Sequence, residues 1–313
     1  MANTRVLLTG ATGMLGGEIY KNLSSPHYNY DVVAPRRNEL DLCSQSSVQA
    51  FFQNHSNFDT IIHCAAKVGG IAANIADPVG FLYENTMLNS CLPMEAAKVG
   101  VPNFLFIGSS CMYPKDYRQP LVEEDMLASY LEPTNEGYAL AKISGSKLCT
   151  YITKQMGFNY KTIIPCNLYG PGDDFSPNHS HLIAAAVRKT HLAISNNDSS
   201  LEIWGDGSAR REFLFTPDLA DFVCQHLNQF DQLPNLLNIG FGEDHSVLAY
   251  YEAIRDVVGF QGGFTFKLDA PVGMKQKLMD SSKAFKLGWK PTTSLKQGLS
   301  KTYEAFKKYE ASV

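Results

Sequence analysis

The side chains that could transfer protons gather in one stretch near the middle of the chain. Ser109, Ser110 and Cys111 follow an apolar run that is typical of a buried strand. Tyr138 precedes Lys142 by four positions, and in a helix this spacing places the two side chains on one face, a turn apart. The ammonium group of Lys142 would then favour the phenolate and lower the pKa of Tyr138. A phenol of this kind can exchange a proton with a substrate oxygen near neutral pH.

The spacing of Tyr138 and Lys142 does not identify a site by itself. Tyr303 and Lys307 repeat it near the C-terminus, within a charged amphipathic pattern that we interpret as a surface helix. The interpretation of Tyr138 therefore depends on the elements that position it.

A glycine-rich turn follows the first predicted strand, residues 4–9. Gly10 permits a tight turn, Gly13 lets the backbone approach a pyrophosphate, and Gly16 lets the predicted helix at 17–23 pack close to the strand. The N-terminus of that helix supplies amide donors and positive potential to phosphates. This order of strand, turn and helix predicts a dinucleotide site, although a merely flexible turn could carry the same glycines.

The end of the next predicted strand, residues 30–34, indicates which dinucleotide would bind. Enzymes that use NAD usually offer an acidic side chain here to the ribose 2′-hydroxyl. This chain offers Arg36 and Arg37, whose guanidinium groups can hold a 2′-phosphate through bidentate charged hydrogen bonds. We therefore predict NADPH rather than NADH; the alternative is that one or both arginines are only solvated. Asp41 and Leu42 follow and are candidates for contact with the adenine.

Further predicted elements extend an alternating series. Residues 58–66 and 103–110 are predicted strands, and a predicted helix at 78–99 lies between them. Pro93 falls inside this helix and should kink or divide it, because proline lacks a backbone donor. The series predicts an α/β fold with a doubly wound parallel sheet, in which ligands bind beyond the carboxyl ends of the strands. The glycine turn and the Ser-Ser-Cys segment both belong at that edge.

Composition and charge limit the class of protein. The 313 residues carry a net charge of −4 and no basic run, so nothing indicates a nucleic-acid surface. No apolar run approaches the length of a membrane helix, and the N-terminus lacks a signal-peptide pattern. The seven cysteines are widely spaced without Cys-x-x-Cys, which favours reduced thiols over disulfides or a structural metal site. We expect a cytoplasmic protein that binds neither nucleic acid nor membrane.

Eight short motifs extend over nearly the whole chain. They are AAKVGG at 65–70, GSSCMYP at 108–114, LEPTNEGY at 131–138, NLYGP at 167–171, NHSH at 178–181, WG at 204–205, REFL at 211–214 and LGW at 287–289. In this order they resemble the GDP-L-fucose synthase family, a branch of the extended short-chain dehydrogenase/reductase superfamily. The chain departs from that family at Ala11-Thr12, where bacterial members often carry a basic residue, and at Pro93, within a helix that the family uses for dimerisation.

The resemblance implies two interleaved domains and no metal. A Rossmann domain would comprise residues 1–175 with a returning segment at about 215–242, and a smaller α/β C-terminal domain at 176–313 would bind substrate in the cleft between them. The residues that the resemblance assigns to NADP(H) are Gly10, Thr12, Gly13, Met14, Leu15, Gly16, Arg36, Arg37, Asp41, Leu42, Ala65, Ile107, Gly108, Ser109, Lys142, Pro165, Asn167, Leu168 and His181.

The resemblance also assigns chemical roles. Tyr138 would donate a proton to the oxygen on carbon 4 of a sugar, Ser109 would hydrogen-bond that oxygen, and Lys142 would hold the nicotinamide ribose. Cys111 and His181 match the base and the acid that the family uses for epimerisation, whereas the neighbouring His179 would have no catalytic role. The residues assigned to substrate are Ser110, Cys111, Asn167, Lys189, Trp204, Arg211 and Asp280, with Arg211 and Lys189 at the diphosphate.

The activity that the resemblance implies is conversion of GDP-4-dehydro-6-deoxy-D-mannose to GDP-L-fucose with NADPH, by 3,5-epimerisation and then 4-keto reduction. The alternatives are a 4-reductase without epimerase activity, a GDP-mannose 3,5-epimerase, and a synthase for a related sugar such as colitose. A non-catalytic NADP-binding regulator on the same fold would be expected to lack Tyr138 or Lys142, and both are present. The resemblance further implies a homodimer through the helices near 81–99 and 138–156.

Overall fold

Strands and helices alternate along most of the chain in the computed structural model, which describes residues 4–177 and 179–312. Asn178, in the motif at 178–181, lies outside the described residues. The first half forms β1 (Thr4–Thr9), α1 (Met14–Leu23), β2 (Tyr30–Val33), α2 (Gln45–Asn54), β3 (Thr60–His63), α3 (Ile71–Ala76), α4 (Pro78–Lys98), β4 (Asn103–Ile107), α5 (Glu136–Met156), β5 (Asn159–Pro165) and β6 (Asn167–Tyr169). The second half forms α6 (Leu182–Asn196), β7 (Ser200–Trp204), β8 (Arg210–Arg211), β9 (Phe213–Phe215), α7 (Thr216–His226), β10 (Leu236–Ile239), β11 (His245–Ser246), α8 (Val247–Val258), β12 (Gly263–Lys267), β13 (Gln276–Lys277), α9 (Ser282–Lys286) and α10 (Leu295–Glu310).

Six strands form a central sheet in the order β10-β5-β4-β3-β1-β2. Every neighbouring pair is parallel. From β1 the chain extends the sheet to β2 on one side and through β3, β4 and β5 on the other. This arrangement confirms the predicted doubly wound parallel sheet, and it sets the carboxyl ends of β1, β3, β4 and β5 along one edge.

The central sheet is apolar on both faces because helices cover each of them. Along β1, Val6 and Leu8 belong to the core cluster on one face, and Leu7 belongs to the cluster on the other. All three are fully buried. This alternation explains why the strand shows no polar residues at every second position, as is usual for parallel sheets.

A third core lies under helices α6, α8 and α10. It contains Ile183, Val187, Ile203, Tyr250 and Phe306, which come from these helices and from β7. Two of the smaller sheets belong to the same half of the chain, with β7 beside β12 and β8 between β11 and β13, whereas β6 of the first half pairs with β9. The domain limits predicted from the sequence stay a prediction.

The chain leaves the central sheet after β5 and returns to it with β10. Helix α7 packs against α1, and β10 then adds to the sheet beside β5. Met279, Ala284 and Trp289 also belong to a core cluster of the central sheet. Segments far apart in sequence therefore build one core.

Helix α4 is continuous, so the predicted division at Pro93 is wrong, whereas the alternative of a kink stays a prediction. The helix runs from Pro78 to Lys98 with Pro93 inside it and buried. Proline removes only one backbone donor, and packing against α2 and α5 holds the rest of the helix. No helix within residues 4–177 and 179–312 is long and apolar enough to cross a membrane.

Candidate active site

The glycine turn between β1 and α1 is closed by contacts that no larger residue would permit. Gly10 has a φ of +75°, and a Cβ there would lie 2.6 Å from the backbone nitrogen of Ala65. A Cβ on Gly16 would lie 2.1 Å from the carbonyl oxygen of Gly10. Gly13 is exposed directly before α1. The exposed start of α1 therefore offers free amide donors, as a phosphate site requires.

The two arginines after β2 are exposed at the same edge. Arg37 Nη2 lies 3.8 Å from Glu84 Oε2, and the Arg37 side chain is 79% exposed. Arg36 donates its backbone N–H to the carboxylate of Glu39 at 2.7 Å, which fixes the backbone of the turn. Asp41 accepts a hydrogen bond from a neighbouring backbone amide, and Leu42 packs partly against the core. Within residues 4–177 and 179–312, Arg36 has no ion pair and Arg37 has only the 3.8 Å contact with Glu84, so both guanidinium groups can meet an anion.

The other residues predicted to bind cofactor line the ends of β3, β4 and β5. The backbone N–H of Ala65 approaches Thr9 Oγ1 at 3.4 Å. Gly108 donates its backbone N–H to the carbonyl oxygen of Ile163 at 2.7 Å, which joins the ends of β4 and β5. Asn167 Nδ2 donates to the carbonyl oxygen of Glu212 at 3.1 Å. The remaining predicted residues lie on α1, β4, β5, β6 or the glycine turn, and they are Thr12, Met14, Leu15, Ile107, Pro165 and Leu168.

Ser109 and Cys111 face each other in the turn that follows β4. The Cys111 thiol donates a hydrogen bond to Ser109 Oγ at 3.2 Å. The backbone N–H of Cys111 approaches the same oxygen at 3.4 Å, because residues Ser110–Met112 form a single turn of helix. Ser110, between them in sequence, is 2% exposed. The turn presents a hydroxyl and a thiol at one point of the sheet edge.

Tyr138 and Lys142 lie on α5, one turn apart, as predicted. The predicted effect of Lys142 on the pKa of Tyr138 is wrong. Lys142 Nζ donates to the carbonyl oxygen of Ile107 at 2.7 Å and lies 5.9 Å from the centroid of the Tyr138 ring. Burial raises the pKa of Tyr138, and the nearby Cys111 raises it further, while Ser109 lowers it by hydrogen bonding. The phenol therefore holds its proton at neutral pH.

His181 is the N-cap residue of α6 and ends the loop that contains His179. Gly70 donates its backbone N–H to the carbonyl oxygen of His179 at 3.2 Å, which attaches the loop to the segment after β3. The surface of His181 is exposed, although many protein atoms surround the imidazole. Burial and the charge of Lys277 lower the pKa of His181. Burial raises the pKa of Cys111, and Lys277 is the strongest of the groups that oppose this rise.

The residues predicted to bind substrate form two groups joined by the loop at Val272. Lys189 Nζ lies 5.7 Å from the centroid of the Trp204 ring. Arg211 Nη2 donates to the carbonyl oxygen of Val272 at 2.7 Å, and the side chain of Val272 packs on Gly205. Burial lowers the pKa of Arg211.

Asp280 lies beside the segment at 119–121. Its backbone N–H donates to Leu121 at 2.8 Å, and its carboxylate accepts from the N–H of Ser282 at 2.8 Å. Hydrogen bonds from Ser282 lower the pKa of Asp280. Of the predicted substrate residues, Ser110 and Cys111 belong to the turn after β4 and Asn167 begins β6, whereas Lys189 lies on α6 and Trp204 ends β7.

The family follows from a comparison with known proteins. The profile described as the NAD dependent epimerase/dehydratase family matches residues 6–240. The chain belongs to this family.

Members of the family are similar over nearly the full length. GDP-L-colitose synthase of Yersinia pseudotuberculosis is 44% identical over 304 residues, which cover 96% of this chain and 97% of that protein. GDP-L-fucose synthase of Azorhizobium caulinodans is 42% identical over 302 residues, or 96% of each protein. Among solved structures, the GDP-mannoheptose C4 reductase of Campylobacter jejuni with NADP bound has a TM-score of 0.87 at 30% identity, over 98% of this chain and 99% of that one.

Two residues of the candidate site were missed by the sequence analysis. Glu212 is fully buried, and its carboxylate accepts backbone hydrogen bonds from Gly242 at 2.7 Å and from Met279 at 3.1 Å. Burial raises the pKa of Glu212 to about 7. Burial lowers the pKa of Lys277 to about 8. Glu212 lies inside the REFL motif and could have been noticed there, whereas Lys277 lies in an unremarkable polar stretch and gave no signal.

Proposed function

We propose that this protein converts GDP-4-dehydro-6-deoxy-D-mannose to GDP-L-fucose with NADPH, by epimerisation at carbons 3 and 5 and reduction at carbon 4. The observation that carries the proposal is the 3.2 Å contact between Ser109 and Cys111 beside α5. In this contact Ser109 is the group needed for ketone reduction, and Cys111 is the group able to move carbon-bound protons. Similarity of about 40% to named GDP-L-fucose synthases over nearly the whole chain supports the same activity.

NADP(H) fits the residues at the edge of the sheet. Gly10 and Gly16 let the turn close tightly against Ala65 and against α1, Gly13 is exposed where a pyrophosphate would approach, and Arg36 and Arg37 offer two exposed guanidinium groups to a 2′-phosphate. When bound, the cofactor supplies the hydride for carbon 4. Lys142 is suited to hold its ribose, since the ammonium group is already oriented by the carbonyl oxygen of Ile107.

For the reduction, Tyr138 donates its proton to the oxygen on carbon 4. The raised pKa of Tyr138 suits this role, because a phenol must carry a proton to be an acid. Ser109 hydrogen-bonds the same oxygen and holds it beside the phenol. Lys142 carries a charge below a pH of about 8, since burial lowers its pKa to about that value.

For the epimerisation, Cys111 removes protons from carbons 3 and 5 and His181 returns protons on the opposite face. The ketone at carbon 4 acidifies both carbon–hydrogen bonds, so a thiolate is a sufficient base. Arg211 and Lys189 bind the diphosphate, Trp204 offers an aromatic surface, and Asp280 accepts hydrogen bonds from the nucleotide sugar. These residues come from both sides of the cleft, as is usual for a buried substrate.

Exchange of carbon-bound protons with heavy water separates the two halves of the reaction. We expect Cys111→Ser and His181→Asn to abolish deuterium incorporation at carbons 3 and 5, while reduction of the keto group survives. His179→Asn is the matched control and should exchange at the native rate. Exchange at the native rate in both Cys111→Ser and His181→Asn would place the epimerase groups elsewhere. Binding of NADPH without any turnover would instead favour the non-catalytic regulator.

A GDP-L-colitose synthase is the second candidate, because the relative with that name is 44% identical. The Campylobacter structure adds a C4 reductase as a third. Product analysis by NMR after incubation with GDP-4-dehydro-6-deoxy-D-mannose and NADPH distinguishes the fucose synthase from the C4 reductase, and a parallel incubation with the 3-deoxy analogue of that keto sugar tests for a preference for the colitose precursor. A product with the fucose configuration supports the proposal, whereas a rhamnose configuration would show reduction without epimerisation.

We also propose a homodimer formed through α4 and α5, which pack side by side. Apolar side chains remain exposed on both helices, namely Val79, Leu82 and Tyr83 on α4 and Leu140 and Tyr151 on α5. A second copy would cover them. A cytoplasmic location belongs to the same proposal, because all seven cysteines are unpaired, as is typical of a reducing compartment.

Sedimentation tests the homodimer. We expect Tyr83→Glu to shift the protein from dimer to monomer, because it buries a charge in the interface. Tyr130→Glu is the matched control, since Tyr130 is 91% exposed and lies outside both helices. A monomeric wild-type protein, or an unchanged dimer in Tyr83→Glu, would contradict the proposal.

A further inference from the structure

A row of four charged side chains connects the start of α4 to the turn after β2. It runs from Asp77 through Lys67 and Glu84 to Arg37. Lys67 Nζ donates to Asp77 Oδ2 at 2.7 Å and to Glu84 Oε1 at 2.6 Å. The other oxygen of the second carboxylate, Glu84 Oε2, lies 3.8 Å from Arg37 Nη2. Glu84 therefore lies between two cations, one of which is proposed to bind the 2′-phosphate of NADPH.

The backbone of Lys67 is fixed to α4 beside Glu84. Asn85 accepts the backbone N–H of Lys67 at 2.9 Å and donates to the Lys67 carbonyl oxygen at 3.0 Å. Asn85 is fully buried and also donates to the carbonyl oxygen of Phe81 at 2.7 Å. The ammonium group of Lys67 lies 5.6 Å from the centroid of the Phe81 ring. Lys67 thus holds the Glu84 carboxylate at a defined point on the helix surface.

The turn that carries Arg37 is held against the same part of α4. The Cys43 thiol donates to the carbonyl oxygen of Glu84, with sulfur and oxygen 3.7 Å apart. Leu40 donates its backbone N–H to the carbonyl oxygen of Arg36 at 3.0 Å, which closes the turn after β2. Because this segment and the helix are joined at Glu84, the fold itself brings the arginine close to the carboxylate.

The charges of the row leave Glu84 incompletely neutralised. Lys67 supplies one positive charge to two carboxylates, and its hydrogen bonds to Asp77 and Glu84 raise the pKa of Lys67, so the ammonium group keeps its proton. One negative charge is left over, and Arg37 is the cation beside it. The 2′-phosphate of NADPH has the same sign as Glu84 and needs the guanidinium group that Glu84 attracts. NADH carries a hydroxyl at this position and needs no cation there.

We propose that Glu84 is a specificity-determining residue, which weakens the preference of this protein for NADPH over NADH. It acts through Arg37, by drawing the guanidinium group toward α4 and partly neutralising it. Glu84 is thus a positioning residue. The inference rests on the cofactor site proposed above, in which Arg37 binds the 2′-phosphate. Because the Arg37 side chain is 79% exposed, water screens the ion pair and keeps its effect on affinity small.

Binding of two adenosine phosphates to the free enzyme tests this proposal. 2′,5′-ADP and 5′-AMP differ only in the 2′-phosphate, so the ratio of their dissociation constants isolates that group. We expect Glu84→Gln to tighten 2′,5′-ADP binding by about two- to fivefold, the range that an exposed ion pair provides, and to leave 5′-AMP binding unchanged. NADPH and NADH should show the same difference. The gain should decrease at high salt, because exposed charges are then screened.

Asp77→Asn is the matched control. It also removes one carboxylate from Lys67 and changes the net charge by the same unit, whereas the ion pair of Arg37 is with Glu84. The amide keeps an oxygen that can accept the backbone N–H of Gly80, as Asp77 Oδ1 does at 2.9 Å. Asp77→Asn should therefore leave the ratio of the 2′,5′-ADP and 5′-AMP dissociation constants at the wild-type value.

Arg37→Met shows whether Glu84 acts through the guanidinium group. Alone it should weaken 2′,5′-ADP binding, and in its background Glu84→Gln should give little further gain. If Glu84→Gln does not fold, Glu84→Ala removes the same charge. An unchanged ratio in the folded variant, an equal gain in Asp77→Asn, or a full gain in the absence of Arg37 would overturn the inference.

The same variants separate this inference from the cofactor site on which it rests. If Arg37→Met does not weaken 2′,5′-ADP binding, the assignment of Arg37 to the 2′-phosphate is wrong, and the role of Glu84 is wrong with it. If Arg37→Met weakens binding while Glu84→Gln changes nothing, the cofactor site stands and only the role of Glu84 is refuted.

Discussion

Burial determines the protonation of the groups beside the Ser109–Cys111 turn. It holds the proton on Tyr138 and lowers the pKa of Lys142 to about 8. Below a pH of about 8, Tyr138 keeps its proton and can act as an acid in every turnover. Over the same range Lys142 keeps its charge. As the pH rises through about 8, Lys142 loses its charge, so cofactor binding and reduction should both decline there.

Replacement of the phenol isolates its role. We expect Tyr138→Phe to lower the reduction rate about 100- to 10,000-fold, the usual contribution of a general acid, while NADPH affinity stays nearly unchanged. The measurement is single-turnover oxidation of NADPH together with a binding titration. Tyr303→Phe is the control, because Tyr303 has the same spacing to a lysine and instead hydrogen-bonds His191. Full activity in Tyr138→Phe would refute the assignment.

The arginines after β2 should distinguish the two dinucleotides. Replacement of Arg36 and Arg37 together is expected to weaken NADPH binding far more than NADH binding, by roughly 1.5–3 kcal/mol for each charged hydrogen bond lost. Arg36→Met should have the larger single effect, because Glu84 partly neutralises Arg37 at 3.8 Å. Dissociation constants for both cofactors at fixed ionic strength provide the measurement. Equal losses for NADPH and NADH would contradict the prediction.

At the scale of elements, patterns of residues adjacent in sequence allowed strands, turns and helices to be predicted. Pairings between short strands that are distant in sequence were not predicted. The glycine turn and helix α1 were found because their residues are adjacent in sequence. The partnership of β13 with β8 was not, since it joins distant segments two residues long. Lys277 was missed for this reason. The division of α4 at Pro93 was predicted wrongly because packing on both sides of the helix outweighs the loss of one hydrogen bond.

The glycine turn permits a sharp test at this scale. Gly16→Ala should destabilise the protein by about 1–3 kcal/mol, as overpacking does, and also weaken NADPH binding. The reason is that the new Cβ would meet the Gly10 carbonyl oxygen at 2.1 Å, a backbone atom that cannot rotate away. Gly17→Ala is the matched control, because its Cβ would lie 3.4 Å from the nearest atom. Denaturant unfolding and a binding titration measure both effects, and equal results for the two variants would refute the argument.

At the scale of the whole molecule, the partly desolvated charge of Lys277 lowers stability. The pKa of Lys277 is about 8 in the folded protein against an ordinary value of 10.5, so the folded state binds fewer protons than the unfolded chain between these pH values. The cost of the charge is therefore present in full below pH 8 and disappears as the pH rises to 10.5.

Lys277→Met should consequently be more stable than wild type at pH 7, by roughly 1–2 kcal/mol, which allows for screening of a shift that is worth 1.36 kcal/mol per unit. The difference between the two proteins should shrink as the pH rises through the window from 8 to 10.5. Denaturant unfolding at several pH values measures it. A variant less stable than wild type at pH 7, or a difference independent of pH, would contradict the prediction.

The chain returns to the central sheet late in the sequence. This return also determines when folding can be completed during synthesis. Strand β5 lacks its neighbour until Leu236–Ile239 have been made, because β10 pairs along that edge. The core beneath the sheet needs Met279, Ala284 and Trp289 as well. A nascent chain that carries all of the nucleotide-binding motifs therefore still exposes an open strand edge and apolar surface, both of which favour aggregation. The ribosome must translate nearly the entire sequence before the central sheet and its core can close.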